Sequence, residues 1–194
     1  MIMPNSDRWK EIAFSDFNCD AFRIWKEEHL VLAAGDFAAN EYNAMAVGGG
    51  FLGFLWGEPA VMVLVRPQRR TFELLERYDT FTLSVFDSRY RDAVAELGAV
   101  SGRDVPDKLA AAGFTAVEAG RVEAPAIAEA ELVIECRKTC RAALHGRDFC
   151  DKSLIESRYP GRDYHSCFFG RVLRIAGGDK YWNAEALLEH YGRH

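Results

Sequence analysis

Short apolar runs of strand length recur along the chain, at residues 29–34, 42–47, 60–65, 81–86, 131–136 and 165–175, each rich in β-branched or aromatic residues. In one of them Phe81, Leu83 and Val85 alternate with Thr82 and Ser84. That period of two predicts a strand with one buried and one polar face. The run 60–65 lacks the alternation and predicts a strand covered on both sides, in the middle of the core. Helical spacing is rarer. Tyr90, Ala93, Val94 and Leu97 fall at i, i+3, i+4 and i+7, after a candidate cap at Asp87 or Ser88 and before Gly98, which predicts a helix lying on the sheet surface. A second stripe with Phe72 and Leu75 begins near Thr71, a short third helix spans about 107–113, and Asn183 caps a last one carrying Leu187, Leu188 and Tyr191. Strands in most places with helices as connectors do not match the regular alternation of a doubly wound parallel sheet. The pattern predicts a mainly β, antiparallel barrel with peripheral helices, in one domain over residues 1–194.

Composition narrows the function classes. The 194 residues carry 24 Lys+Arg against 29 Asp+Glu, a formal net charge of −5. That balance argues against a protein that coats nucleic acid, where a basic stripe supplies most of the affinity. No window approaches the ~18 apolar residues of a membrane helix, and Asp7, Arg8 and Lys10 stand where a secretory signal would be apolar. Five cysteines suggest reduced thiols and a cytoplasmic setting.

Two spellings invite chemistry without supporting it. Gly48 to Gly53 reads G-x-G-x-x-G, but Gly57 and Pro59 follow too soon for the helix on which a dinucleotide pyrophosphate would rest. The glycines are read instead as room for close backbone approach to a flat ligand. Cys136, Cys140, His145 and Cys150 stand one residue away from zinc-knuckle spacing. On a continuing strand the first pair would be ~13 Å apart, too far to share an ion, so no metal is expected and the cysteines are read as small buried or half-buried side chains.

The chemistry gathers between Asn43 and Lys108. Arg66, Arg69, Arg70 and Thr71 close one strand and open a helix, bringing guanidinium groups, a hydroxyl and free helix amides to one place suited to a terminal phosphate. Ser101, Gly102, Arg103, Asp104 and Lys108 form a second small, basic turn. Residues 52–57, Leu-Gly-Phe-Leu-Trp-Gly, read as an apolar loop, the type of wall that packs against an aromatic ring system.

With these residues in order, most of the chain from Trp9 to Arg174 resembles the flavin reductase-like FMN-binding split-barrel family, including flavoredoxin-type electron carriers. The resemblance rests on residues 42–45, 52–56 with Pro59, 66–71, 81–86, 98–104 with Lys108, and 163–165. It implies a homodimer of Greek-key split barrels with FMN near the subunit interface. It further implies that Asn43, Ala44, Met45, Ala46, Val47 and Gly48 run along the flavin ring and offer backbone hydrogen bonds, with Leu55 and Trp56 nearby. Arg66, Arg69 and Thr71 would hold the phosphate, joined by Ser101, Gly102, Arg103 and Lys108. His165 is read as packed between strands within reach of the site. Two departures stand out: Ala46 and Gly48 to Gly50 replace the family's hydroxyl and aromatic residues, and Pro106 lengthens the approach to Lys108. The expected activity is passage of hydride or electrons from NAD(P)H through FMN to a small-molecule or protein acceptor. The cofactor carries that chemistry, so no catalytic residue is named. The competing reading is a dimeric split-barrel binding module that has lost tight flavin binding.

Overall fold

The computed structural model describes residues 9–105 and 107–192; Asp7, Arg8 and Pro106 lie outside them. Ten strands form: β1 (Lys10–Glu11), β2 (His29–Asp36), β3 (Glu41–Ala46), β4 (Gly50–Leu55), β5 (Glu58–Val65), β6 (Thr80–Phe86), β7 (Ala116–Val117), β8 (Ala126–Ile127), β9 (Leu132–Ala143) and β10 (Ser166–Gly177). The main sheet runs β3-β2-β6-β9-β10-β5-β4, with β1 added to β10 and β7-β8 a separate pair, and every pairing is antiparallel. Its two edges, β3 and β4, are joined only by Val47, Gly48 and Gly49. That link spans at most ~14 Å, so the sheet must curl until its edges nearly meet. They do not pair with each other along the strand order, and the result is an antiparallel split barrel with peripheral helices.

Among the described residues six α-helices decorate it: α1 (Arg23–Lys26), α2 (Arg70–Arg77), α3 (Arg91–Ala99), α4 (Lys108–Ala111), α5 (Ser153–Arg158) and α6 (Ala184–Gly192). Inside the barrel, Leu32, Val63, Leu83, Ile134 and Phe168 pack with Leu74 and Leu75 of α2. On the opposite face, Val31, Ala33, Phe86 and Val133 pack with Val94 and Leu97 of α3 and with Leu109, Phe114 and Ile127. Burying each such aliphatic side chain stabilises the fold by ~1.5–3 kcal/mol. Asn183 caps α6 as expected, its Oδ1 accepting from the Glu185 N–H at 3.0 Å.

Two strand expectations exchange places. Thr82 and Ser84 of β6 are fully buried, because the second core lies over that face, and the Thr82 hydroxyl donates to Pro125 O at 2.6 Å. In β5 only Val61, Val63 and Val65 are buried, whereas Ala60, Met62 and Leu64 are half-exposed on an outer face that no described helix covers. Residues 52–57 are not a loop but the end of β4 and its turn into β5. Gly98 does not end α3, which runs through it to Ala99; a Cβ there would stand 3.3 Å from Ala46 Cβ, so the glycine brings α3 close to β3.

Candidate functional site

A cavity of about 480 Å³ lies where the C-terminal ends of β3 and β5 meet the start of β10, lined by residues 45–49 together with Leu64, Arg66, Arg69, Arg158, Tyr159 and His165. One wall is the edge of β3. The Val47 N–H donates to Leu30 O at 3.0 Å, so Val47 is bonded toward β2. Alternation along an antiparallel strand then turns the N–H and C=O of Ala46 and Gly48 away from β2, and neither residue's groups find a bond elsewhere among the described residues; Ala44, of the same register, is fully buried in the second core and does not line the cavity. The wall thus offers a row of unsatisfied backbone donors and acceptors, which a planar heterocycle can pair with.

The other wall is cationic. Arg69 caps the start of α2 in an extended conformation with no side chain capping the helix amides. Its guanidinium donates to Gly98 O at 3.0 Å, tying α2 to α3. Arg66 pairs with Asp163, whose carboxyl is held below its ordinary range by the hydrogen bonds from Arg66 and Gln68, and also donates to Arg158 O at 2.9 Å. Arg69 and Arg158 have no carboxylate partner among the described residues. Two unopposed guanidiniums beside one neutralised pair suit a dianionic group. Tyr159 O–H stands 2.8 Å from His165 Nδ1 on the same wall. Burial first, and the Arg66 charge second, press the His165 imidazole below its ordinary pKa, so it is neutral near pH 7.

The other residues singled out from the sequence divide. Asn43 and Thr71 are buried and joined to each other, Asn43 Nδ2 donating to Thr71 Oγ1 at 2.7 Å, which fastens β3 to α2. The turn 101–103 crosses directly over Asn43: a Cβ on Gly102 would overlap the Asn43 carboxamide, and Ser101 Oγ accepts from the Arg103 N–H at 3.2 Å. Arg103 is engaged by Glu73 and by Gln68 O at 2.9 Å. Lys108 is buried, donating to Leu97 O at 2.8 Å and Val100 O at 3.1 Å at the end of α3; burial first, then the Arg69 charge, lowers its pKa to about 8. Neither cation lines the cavity: Lys108 is buried, and Arg103 is exposed but engaged by partners of its own chain. Leu55 and Trp56 are farther still. Leu55 pairs with Glu58 at the tip of the β4–β5 hairpin, and the eight residue steps from Glu58 to Arg66 along β5 set that tip roughly 26 Å from Arg66.

Arg158 and Tyr159 were missed. They end a six-residue helix, α5, whose sequence carries too little periodic signal to mark it. The glycines differ in purpose. A Cβ at Gly50 would overlap Met62 O and the Trp25 ring, whereas one at Gly48, on the cavity wall, would meet nothing within 4 Å. Cys136 is buried and Cys140 and Cys150 are exposed, and no metal-holding cluster of His, Cys, Asp or Glu forms among the described residues.

A family model described as the flavin reductase like domain matches residues 31–194. Among solved structures, the fold is similar to an FMN-binding domain of a flavin reductases-like enzyme from Shewanella baltica, at TM-score 0.66 and 14% identity over 96% of this chain and 86% of that one. It is also similar to flavoredoxin of Desulfovibrio vulgaris, at TM-score 0.60 and 19% identity over 78% and 69%. A third likeness is to an NADH:FAD oxidoreductase of Streptomyces globisporus, at TM-score 0.54 and 19% identity over 77% and 69%. An uncharacterized protein of Aeropyrum pernix is 33% identical over 92 residues, 45% of this chain and only 35% of that protein.

Proposed function

Because the chain belongs to the family of flavin reductase-like domains, we propose that it is an FMN-binding oxidoreductase that draws electrons from NAD(P)H and passes them to an acceptor. The observation that carries this reading is the pairing, across one cavity of about 480 Å³, of an unsatisfied β-edge with two guanidiniums that lack carboxylate partners. The volume lies within the ~300–1,000 Å³ usual for small-molecule and cofactor sites, and the donor set fits a heterocycle ending in a phosphate. When bound, the flavin supplies the two-electron chemistry. The chain's own part is binding and orientation. The backbone of Ala46 and Gly48 pairs with the ring edge; Met45 and Val47 belong to the same wall, and Ala44 packs behind it; Arg69 and Arg158, with the start of α2, take the phosphate, and Arg66 stands beside them. Thr71, Asn43, Ser101, Gly102, Arg103 and Lys108 hold these elements in place.

We further propose that the site works in a homodimer. The outer face of β4, β5, β10 and β9 carries the cross-strand row Phe51, Met62, Phe169 and Cys140. Phe51 is 67% exposed, and Leu64 continues this face to the cavity rim. Exposed contiguous apolar surface of this type marks an interaction site. Trp56, 71% exposed and held at φ +53°, sits at a hairpin tip that reaches no site in its own chain. A second copy of the chain gives Leu55 and Trp56 a site to serve.

The test is direct. Purified protein binds FMN in a titration, is bleached by NADH or NADPH, and an Arg69→Ala variant binds FMN at least tenfold more weakly while its Tm moves little, since Arg69 contributes one hydrogen bond to packing. The reading fails with a protein that takes up no FMN at high micromolar concentration. Ala46 and Gly48 place no side-chain hydroxyl on the β3 edge, and this favours the second reading, a binding module without tight flavin, which that negative result would select.

A further inference from the structure

Tyr159 and His165 meet on the cavity wall, and the cofactor-binding roles above use neither. Tyr159 follows α5 and is pinned at both backbone ends, its N–H donating to Ile155 O at 2.9 Å and its C=O accepting from the Arg162 N–H at 2.9 Å. Tyr159 is 8% exposed, and its ring stands against Phe149 and Tyr164 with centroids 5.5 and 5.2 Å away, the Arg66 guanidinium lying 5.1 Å from the Tyr159 ring centroid. The phenol oxygen is therefore held in place by packing on several sides, 2.8 Å from His165 Nδ1. That nitrogen is the single polar partner of the hydroxyl among the described residues.

The proton inventory follows from this. A buried O–H with one acceptor in reach donates to it, because the alternative leaves a desolvated donor unmet. Nδ1 then carries the lone pair, and the neutral imidazole keeps its proton on Nε2, which has no protein partner among the described residues. The charged and titratable groups around the pair are Arg66 from the end of β5, Arg69 from the start of α2, Arg158 from the end of α5, Asp163 and Tyr164 from the segment before β10, and Cys167 from β10, which faces Tyr159. Arg66 and Arg69 oppose a positive imidazole, Asp163 favours one, and burial opposes it most.

We infer that Tyr159 is a positioning residue: its hydroxyl fixes His165 in the Nε2–H tautomer, so that every polar side chain with a group to spare on this wall is a donor. Arg66, Arg69, Arg158 and His165 then read an acceptor-only oxygen, a carbonyl or an oxyanion, on the ligand that fills the cavity. The inference rests on the flavin reading only for the identity of that ligand; the isoalloxazine carbonyls and the phosphate oxygens of FMN are both of this class.

The ligand-free protein tests the tautomer by itself. In nitrogen-15 NMR with labelled histidine, assigned by loss of the signal in His165→Gln, wild-type His165 shows the Nε2–H pattern and titrates below an ordinary histidine. In Tyr159→Phe, which keeps the ring and its packing, the pattern becomes a tautomer mixture and the titration moves up in pH, because a hydrogen bond to the neutral form has been removed. A wild-type Nδ1–H pattern, or spectra and titration unchanged in Tyr159→Phe, overturns the inference. In the binding arm, His165→Gln, whose amide still donates, keeps FMN affinity within about threefold, while His165→Glu, an acceptor, loses more than tenfold; equal affinities in the two overturn donor-only recognition. A wild-type protein that binds no FMN sinks the flavin reading, and the NMR arm still decides the tautomer.

Discussion

At the scale of single residues, charge was visible in the sequence and its employment was not. Arg66, Arg69, Arg103 and Lys108 look alike on paper as phosphate ligands, yet Arg103 is spent on Glu73 and Lys108 on the carbonyls of Leu97 and Val100. Arg158, unmarked by any motif, is one of the two cations on the cavity wall with no carboxylate partner among the described residues. What separates them is the position of partners many residues away, which no local pattern records. Lys108 also makes a pH signature. Its folded pKa of about 8 lies below the ordinary 10.5, so the unfolded chain binds more protons between those values and stability rises with pH there. Compared with Lys108→Met in urea titrations, the wild type should gain stability between about pH 8 and 10.5 and lose that gain as pH falls through 8. A stability difference flat across that window would show that the lysine titrates normally.

At the scale of elements, the three-residue link between β3 and β4 determines whether a cavity exists. It holds the two sheet edges at one end of the barrel, and Gly50 lets β4 pass against Met62 O and the Trp25 ring. Gly50→Val forces backbone and a partly buried indole apart, and should cost more than ~2 kcal/mol in chemical denaturation, within the usual range for overpacking or somewhat above it. The same substitution at Gly48, where a Cβ meets nothing within 4 Å, should leave stability nearly unchanged and act on FMN binding alone. Near-equal stability losses at the two positions would mean that the link is uniformly strained. Alternation and helical spacing found the main strands and α2, α3 and α6. They missed β4, because Gly50 and Gly53 interrupt its pattern, and α5, because six residues carry too little periodicity.

At the scale of the whole molecule, one face of β5 is left half-exposed among the described residues. Met62, between Phe51 and Phe169 on the uncovered face, is the position at which a charge should divide a dimer. Met62→Glu should sediment as a monomer where the wild type sediments as a dimer, and should bind FMN more weakly, since Leu64 joins this face to the cavity. A wild type that sediments as a monomer at micromolar concentration removes the dimer from the proposal. The order of apolar and polar residues, by itself, determined that the chain is mainly β, where most strands run, and which stretch carries the phosphate-friendly groups, because these are properties of neighbours along the backbone. Tertiary structure decided which face of β5 and β6 is covered, which arginines lack a carboxylate partner, and that Tyr159 touches His165, because each depends on contacts between segments that only the curled sheet brings together.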